Sequence, residues 1–148
     1  MRDDEFARWL PTMRDGYAAS MVDHADIDPE AARRKADADA EALFPGGRPS
    51  PDQAVYVVEV DGASVGGLWF AERELEGERI LWIYDVDIDA PHRGNGYGRT
   101  AMQFAEEEAR RRGLAAVVLN VFGGNEVARN LYRSLGYAET AIVMKKDV

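Results

Sequence analysis

The chain has 148 residues, 46% hydrophobic and 30% charged, the balance of a globular protein with length for one domain over 1–148 and one sizeable core. Its 27 acidic against 18 basic residues give a net charge of −9, which repels nucleic acid and favours cationic partners. Zero cysteines exclude disulfides, a thiolate zinc site and an acyl-cysteine intermediate, and with no apolar run near the roughly 20 residues a bilayer demands and no secretory h-region, a cytoplasmic location off the membrane is expected.

Phe6, Trp9, Leu10, Met13 and Tyr17 recur at steps of three and four, which predicts a helix with one buried stripe that Pro11 is expected to kink or split. Asp28 and Pro29 read as a cap and a first helical position, opening a second helix that runs to Leu43 before Pro45-Gly46-Gly47. From Gln53 the pattern turns to strands: Val55 to Val60, a hairpin turn at Asp61-Gly62, and a return over Ser64 to Phe70. A polar loop of Glu and Gly then leads to a third strand, Ile80 to Ile88.

The amphipathic helix Gly98 to Arg112 carries Glu106 to Glu108 four residues ahead of Arg110 to Arg112, and Gly113 ends it. Ala115 to Phe122 reads as a buried strand, Asn125 to Leu135 as a short helix closed by Gly136, and Ala138 to Met144 as a last strand. A strand-helix-strand crossover joins parallel strands whereas the hairpin is antiparallel, so the predicted fold is α/β with a mixed sheet.

Between the third strand and its helix lies Arg93-Gly94-Asn95-Gly96-Tyr97-Gly98-Arg99-Thr100. The first turn of a helix offers unpaired N–H groups and the positive end of the macrodipole, and glycine lets a phosphate approach the backbone, so this segment predicts an anion cradle. Arg93 and Arg99 add full charges for further phosphate oxygens. The spacing fails the dinucleotide fingerprint, which needs glycine where Arg99 stands, and it lacks the Gly-Lys-Ser/Thr of a P-loop.

What remains is Arg-x-x-Gly-x-Gly at 93–98, which resembles the pyrophosphate loop of the GCN5-related N-acetyltransferases. Downstream, Asn125-x-x-Ala128-x-x-Leu131-Tyr132 on a helix, followed by Gly136-Tyr137, resembles the second half of that superfamily. The N-terminal helices, Trp69-Phe70 and Met144-Lys145-Lys146 are similar to its small bacterial members, so the likeness spans nearly the whole chain. It implies a mixed, mostly antiparallel twisted sheet, a central parallel pair splayed by a bulge, and helices on both faces. Helical pattern beginning at Asp4 leaves little room for the usual first strand.

The resemblance implies acetyl-CoA as co-substrate, no metal, and an amine-bearing acceptor, small molecule or protein. It assigns the pyrophosphate to the amides of 94–100 and the pantetheine arm to the strand edge Val86-Asp87-Ile88, where a bulge parts this strand from the next. Asn125 is either a helix cap or a pantetheine ligand, and Tyr132, sharing a face with Asn125 and Ala128, becomes the general acid. A phenol of pKa about 10 outlasts a thiol of about 8.5, so it stays protonated at neutral pH.

Asp85 is the first candidate for proton acceptor, with Asp87 and Asp89 on the same side of a regular strand and Glu72 and Tyr84 as alternatives. Neither His24 nor His92 shows metal-ligand spacing. Acceptor choice is expected from the N-terminal helices with their loop, about residues 20 to 50, and from the segment after Phe70. The rival function is a silent acyl-CoA sensing module, and either a monomer or a homodimer is compatible with the sequence.

Overall fold

A computed structural model describes residues 1–146. Helix α1 (Asp3–Ala25) opens on three acids, Asp3, Asp4 and Glu5, which suit the positive end of its dipole. It is not split at Pro11. Proline removes the hydrogen bond to the Ala7 carbonyl, but both residues are exposed, so water replaces the lost partner. Helix α2 (Pro29–Leu43) starts where Asp28 Oδ1 accepts the amides of Glu30 and Ala31 at 3.0 and 3.1 Å. Ala18 and Met21 of α1 interlock with Ala32 and Ala36 of α2, small residues that let the two backbones approach.

The sheet runs β1 (Gln53–Val60), β2 (Ala63–Leu75), β3 (Glu78–Ile88), β4 (Val117–Leu119), in that spatial order. The β1–β2 and β2–β3 pairs are antiparallel and β3–β4 is parallel, so the sheet is mixed. The expected polar loop after Phe70 is strand instead. Only Glu76-Gly77 turn, both at positive φ (53° and 84°), as Asp61-Gly62 do at 52° and 79°. Pairing of Arg79 with Glu72, and of Arg73 with Asp52 and Tyr84, holds the polar ends of the long hairpin extended.

Parallel strand β4 covers three residues rather than the eight expected, and 138–146 contain no strand among the described residues, which corrects the last predicted element. Ile142, Val143 and Met144 accordingly stay 72%, 99% and 89% exposed. No strand precedes β1, since α1 already occupies the N-terminal residues.

Alternation sorts the two faces. Leu68 and Phe70 of β2 and Leu81 and Ile83 of β3 pack on Ala101, Met102, Ala105 and Ala109 of helix α3 (Tyr97–Arg111). Trp69, facing the other way, joins Phe6, Phe44 and Val55 beneath α1 and α2. Helix α4 (Glu126–Ser134) lies on the α3 side, where Leu131 and Tyr132 touch that core.

Phe70 is fully buried between sheet and α3. Phe70→Ala is therefore expected to lower the free energy of unfolding by about 3–5 kcal/mol in urea titrations.

Candidate active site

The site begins with a change of parity in β3. Leu81 and Ile83 face α3, and so do Val86 and Ile88, so one residue between them is extra. The β2–β3 register shows it: Trp69 pairs with Asp85 and Phe70 with Ile83, leaving Tyr84 unmatched. Tyr84 stacks on Trp69 at 4.5 Å and an interplanar angle of 15°, and its hydroxyl accepts from Arg73 Nε at 2.9 Å. Tyr84 and Asp85 thus both point to the α1 face, joined by Asp87 two residues on.

At the same level the other edge of β3 comes free. Parallel pairing with β4 ends at Ile83–Leu119, and beyond it residues 84–88 have no backbone partner on that side among the described residues. The parting lies about two residues before the expected Val86-Asp87-Ile88, because the bulge falls at Tyr84. Val86 and Ile88 meanwhile hold the far end down, Ile88 Cγ1 lying 3.8 Å from where a Cβ on Gly98 would be.

A short 3₁₀ turn at Ala90–His92 then delivers the chain to the glycines. Gly94 and Gly96 take φ of 80° and 85°, the left-handed region that glycine alone enters freely. Asn95 Nδ2 donates to the His92 and Arg93 carbonyls at 3.0 and 3.3 Å and closes the loop from within. Gly96 caps α3 without a side chain, so the backbone N–H groups of Gly94 through Arg99, Tyr97 and Gly98 included, find no acceptor among the described residues. Thr100 does not belong to this set. Its amide donates to the Gly96 carbonyl at 3.1 Å, so the run of free donors ends at Arg99.

The flanking arginines are partly committed. Arg93 Nε donates to the Ile88 carbonyl at 2.7 Å and its Nη2 to Asp87 at 3.2 Å, while Arg99 Nη2 donates to Ser134 Oγ at 2.6 Å. They brace the cradle against β3 and α4.

On α4, Asn125 Oδ1 accepts the Ala128 amide at 3.1 Å, so the helix cap is real, and its Nδ2 makes no bond among the described residues. Tyr132 lies two turns on, beside Tyr137. Burial pushes its phenol up to about 12, and the nearby Asp85 carboxylate adds to the rise. That second cause places the two groups within electrostatic reach, one from each side of the parted strands. Asp85 itself is raised to about 7, first by burial and then by Asp87, and its Oδ2 is buried with no hydrogen-bond partner. Asp87 is raised mainly by burial, opposed by Arg93. Glu72 is taken up by Arg79, away from this group.

Against Asp85 lies a cavity of about 510 Å³, roofed by Trp9, Thr12 and Met13 of α1. Its walls come from residues 1–13 and 57–67 and its floor from Asp85, Asp87 and Asp89, beyond Phe70; none of residues 20–50 lines it. The three-and-four spacing of Phe6, Trp9 and Leu10 predicts only a core position for Trp9. The signal was the Gly66-Gly67 pair inside a strand, where a Cβ on Gly67 would sit 2.6 Å from Trp9 Nε1 and one on Gly66 would strike the Asp87 carbonyl.

A family model described as acetyltransferase (GNAT) family matches residues 14–137. The uncharacterized N-acetyltransferase YycN of Bacillus subtilis (strain 168) is 30% identical over 149 aligned positions, covering 100% of this chain and 96% of that protein. The uncharacterized N-acetyltransferase YdgE of the same organism is 29% identical, covering 100% and 95%. The crystal structure of YycN superposes with a TM-score of 0.90 over 100% of this chain and 95% of that one, at 30% identity.

The raised Asp85 carboxyl has a consequence for stability. The folded state keeps its proton up to about 7 while the unfolded chain releases it near 3.8, so between those values folding stability falls as pH rises. Asp85→Asn is expected to remove that fall, leaving the variant stabilised relative to the parent above pH 7, as read by urea midpoints across the window. Equal slopes in the two proteins would show that Asp85 does not hold the proton.

Proposed function

The chain belongs to the acetyltransferase (GNAT) family, and on that premise we propose that it transfers an acetyl group from acetyl-CoA directly to a primary amine within a ternary complex. The observation that carries this reading is the meeting, at one break in the sheet, of a free strand edge, a run of unpaired amides and two proton-holding groups, a carboxyl raised to about 7 and a phenol raised to about 12. Six consecutive N–H donors at a helix N-terminus fit a pyrophosphate, and the unpaired edge at 84–88 fits an amide-bearing arm. Coenzyme A supplies, when bound, an acyl thioester and a thiolate leaving group.

In this reading Gly94, Asn95, Gly96, Tyr97, Gly98 and Arg99 donate backbone hydrogen bonds to phosphate, and the free guanidinium nitrogens of Arg93 and Arg99 add charge at the rim. Thr100 supports the cradle only by fixing the Gly96 carbonyl. Val86, Asp87 and Ile88 lend main-chain groups on the open edge, and Asn125, with Ala128 holding its Oδ1 through the backbone amide, offers Nδ2 to the pantetheine arm. A backbone N–H freed at the bulge stabilises developing oxyanion charge.

Asp85 takes the proton of the attacking ammonium, because an amine must be neutral to attack and a base near 7 is matched to the task. Its charge is not otherwise consumed, Oδ2 being unpartnered. Tyr132 keeps its proton until the sulfur departs, then gives or shares it. Base and acid reach the break from opposite faces of the sheet, which suits direct transfer, and the chain has no cysteine to carry a covalent acyl thioester.

Tyr132→Phe is expected to lower kcat by about 10² or more while leaving the calorimetric Kd for coenzyme A within twofold. Unchanged turnover with a working amine would remove Tyr132 from the chemistry. The parent's kcat/KM should rise with pH to a shoulder near 7, and Asp85→Asn should lose that limb together with most of its rate. Coenzyme A binding with no thiol release across a broad amine panel would instead mark a silent acyl-CoA sensor.

A further inference from the structure

Resting on the transferase reading, we infer that the amine acceptor is an elongated dication, its reacting nitrogen at the inner end of the α1 cavity beside Asp85 and a second ammonium at the outer end beside Asp89 and Glu59. Asp85, Asp87 and Asp89 succeed one another along the cavity floor, so the first and last are about 13 Å apart at the rise of an extended chain. Glu59 stands opposite Ser64 and Asp89 hydrogen-bonds its amide to the Val65 carbonyl, so the two acids flank β2 at the same end.

Charge pairing separates the acids that are satisfied from those that are not. Arg2 and Arg8 line the cavity but pair with Glu5 and Asp4, at 2.5 and 3.0 Å. Asp87 pairs with Arg93, and the Met1 ammonium donates to the Val55 carbonyl. Asp85, Asp89 and Glu59 have neither ion pair nor side-chain hydrogen bond among the described residues. Asp85 differs from the other two in being only half-exposed, with Oδ2 shielded from solvent and without a hydrogen-bond partner among the described residues. A monocation can answer that inner acid alone and leaves two charges unmatched at the mouth.

The stretch between the ends suits a hydrocarbon spacer. Gly66 and Gly67 present bare backbone, Met13 and Val57 are apolar, and the Trp9 indole lies over Gly67 as a roof that both packs on methylenes and attracts a passing ammonium. The donors in the lining, Arg2, Arg8 and the Met1 ammonium, are already paired with Glu5, Asp4 and the Val55 carbonyl.

The experiment compares linear α,ω-diamines of increasing length with ω-amino alcohols of matched length, which lack only the distal charge. Thiol release from acetyl-CoA gives kcat/KM, and calorimetry with the coenzyme A-saturated protein gives affinity without turnover. The diamine is expected to win by about fivefold in both readouts once it spans the cavity, the size of effect that rim charge pairs deliver. In the Glu59→Gln, Asp89→Asn double variant the ratio should collapse toward one. Diamines and amino alcohols that turn over equally at every length would overturn the dication and leave the transferase reading intact. A preference that survives in the double variant would overturn the placement of the second charge. If linear amines neither bind nor react while other amines release thiol, the inference falls alone; if no amine does, both fall.

Discussion

A single unpaired residue, Tyr84, governs this molecule. By inserting into β3 it reverses the side-chain parity of everything that follows, so that Asp85 and Asp87 turn toward α1 while Val86 and Ile88 turn toward α3. Were β3 regular through Tyr84, Asp85 would enter the apolar core under α3 and Val86 and Ile88 would face the cavity. The bulge is held by stacking rather than by hydrogen bonds alone: Trp69 lies 4.5 Å from both Tyr84 and Phe44, with Trp9 at 5.9 Å. Aromatic contacts of this kind contribute about 0.5–1.5 kcal/mol each beyond burial, enough to hold one residue out of register.

The same dislocation lets the parallel pair part after Ile83, and the two halves of the site open on either side of it. One side is electropositive without a single buried cation, built from helix-end amides at Gly94 to Arg99. The other is electronegative, built from carboxylates on β3 and β1. On the proposed function, an anionic donor and a cationic acceptor would be drawn to opposite faces of one sheet and meet where the strands separate. The overall charge of −9 is thus unevenly distributed in function, since the acids that matter are the few that no arginine neutralises.

Much of this was legible along the chain. The Asp28-Pro29 start, the Asp61-Gly62 turn and the glycines at 94 and 96 each have a local mechanism, a cap or a positive φ, and local mechanisms survive folding. The parity switch was also present in the letters: apolar residues at 81 and 83 give way to 86 and 88, a three-residue step that no regular strand makes. What stayed hidden was non-local. The shielding of the Asp85 carboxylate and the roof that Trp9 forms over Gly67 depend on partners far along the chain, and the length of the β2–β3 hairpin on cross-strand pairing such as that of Glu72 with Arg79. The pattern at 138–144 misled for the converse reason, because alternation specifies a strand only when a sheet edge is there to receive it. Pro11 misled likewise, since a proline on an exposed helical face costs a hydrogen bond that water can replace.

The central claim is that the amides heading α3 and the open edge of β3 form one binding surface for coenzyme A. Amide hydrogen exchange with and without coenzyme A tests this most directly, because it reads the backbone donors themselves. The account predicts slowed exchange at residues 94–99 and 84–88, with the outer ladder of β1 unaffected. Unchanged exchange at 94–99 under saturating coenzyme A, or protection confined to other segments, would contradict it.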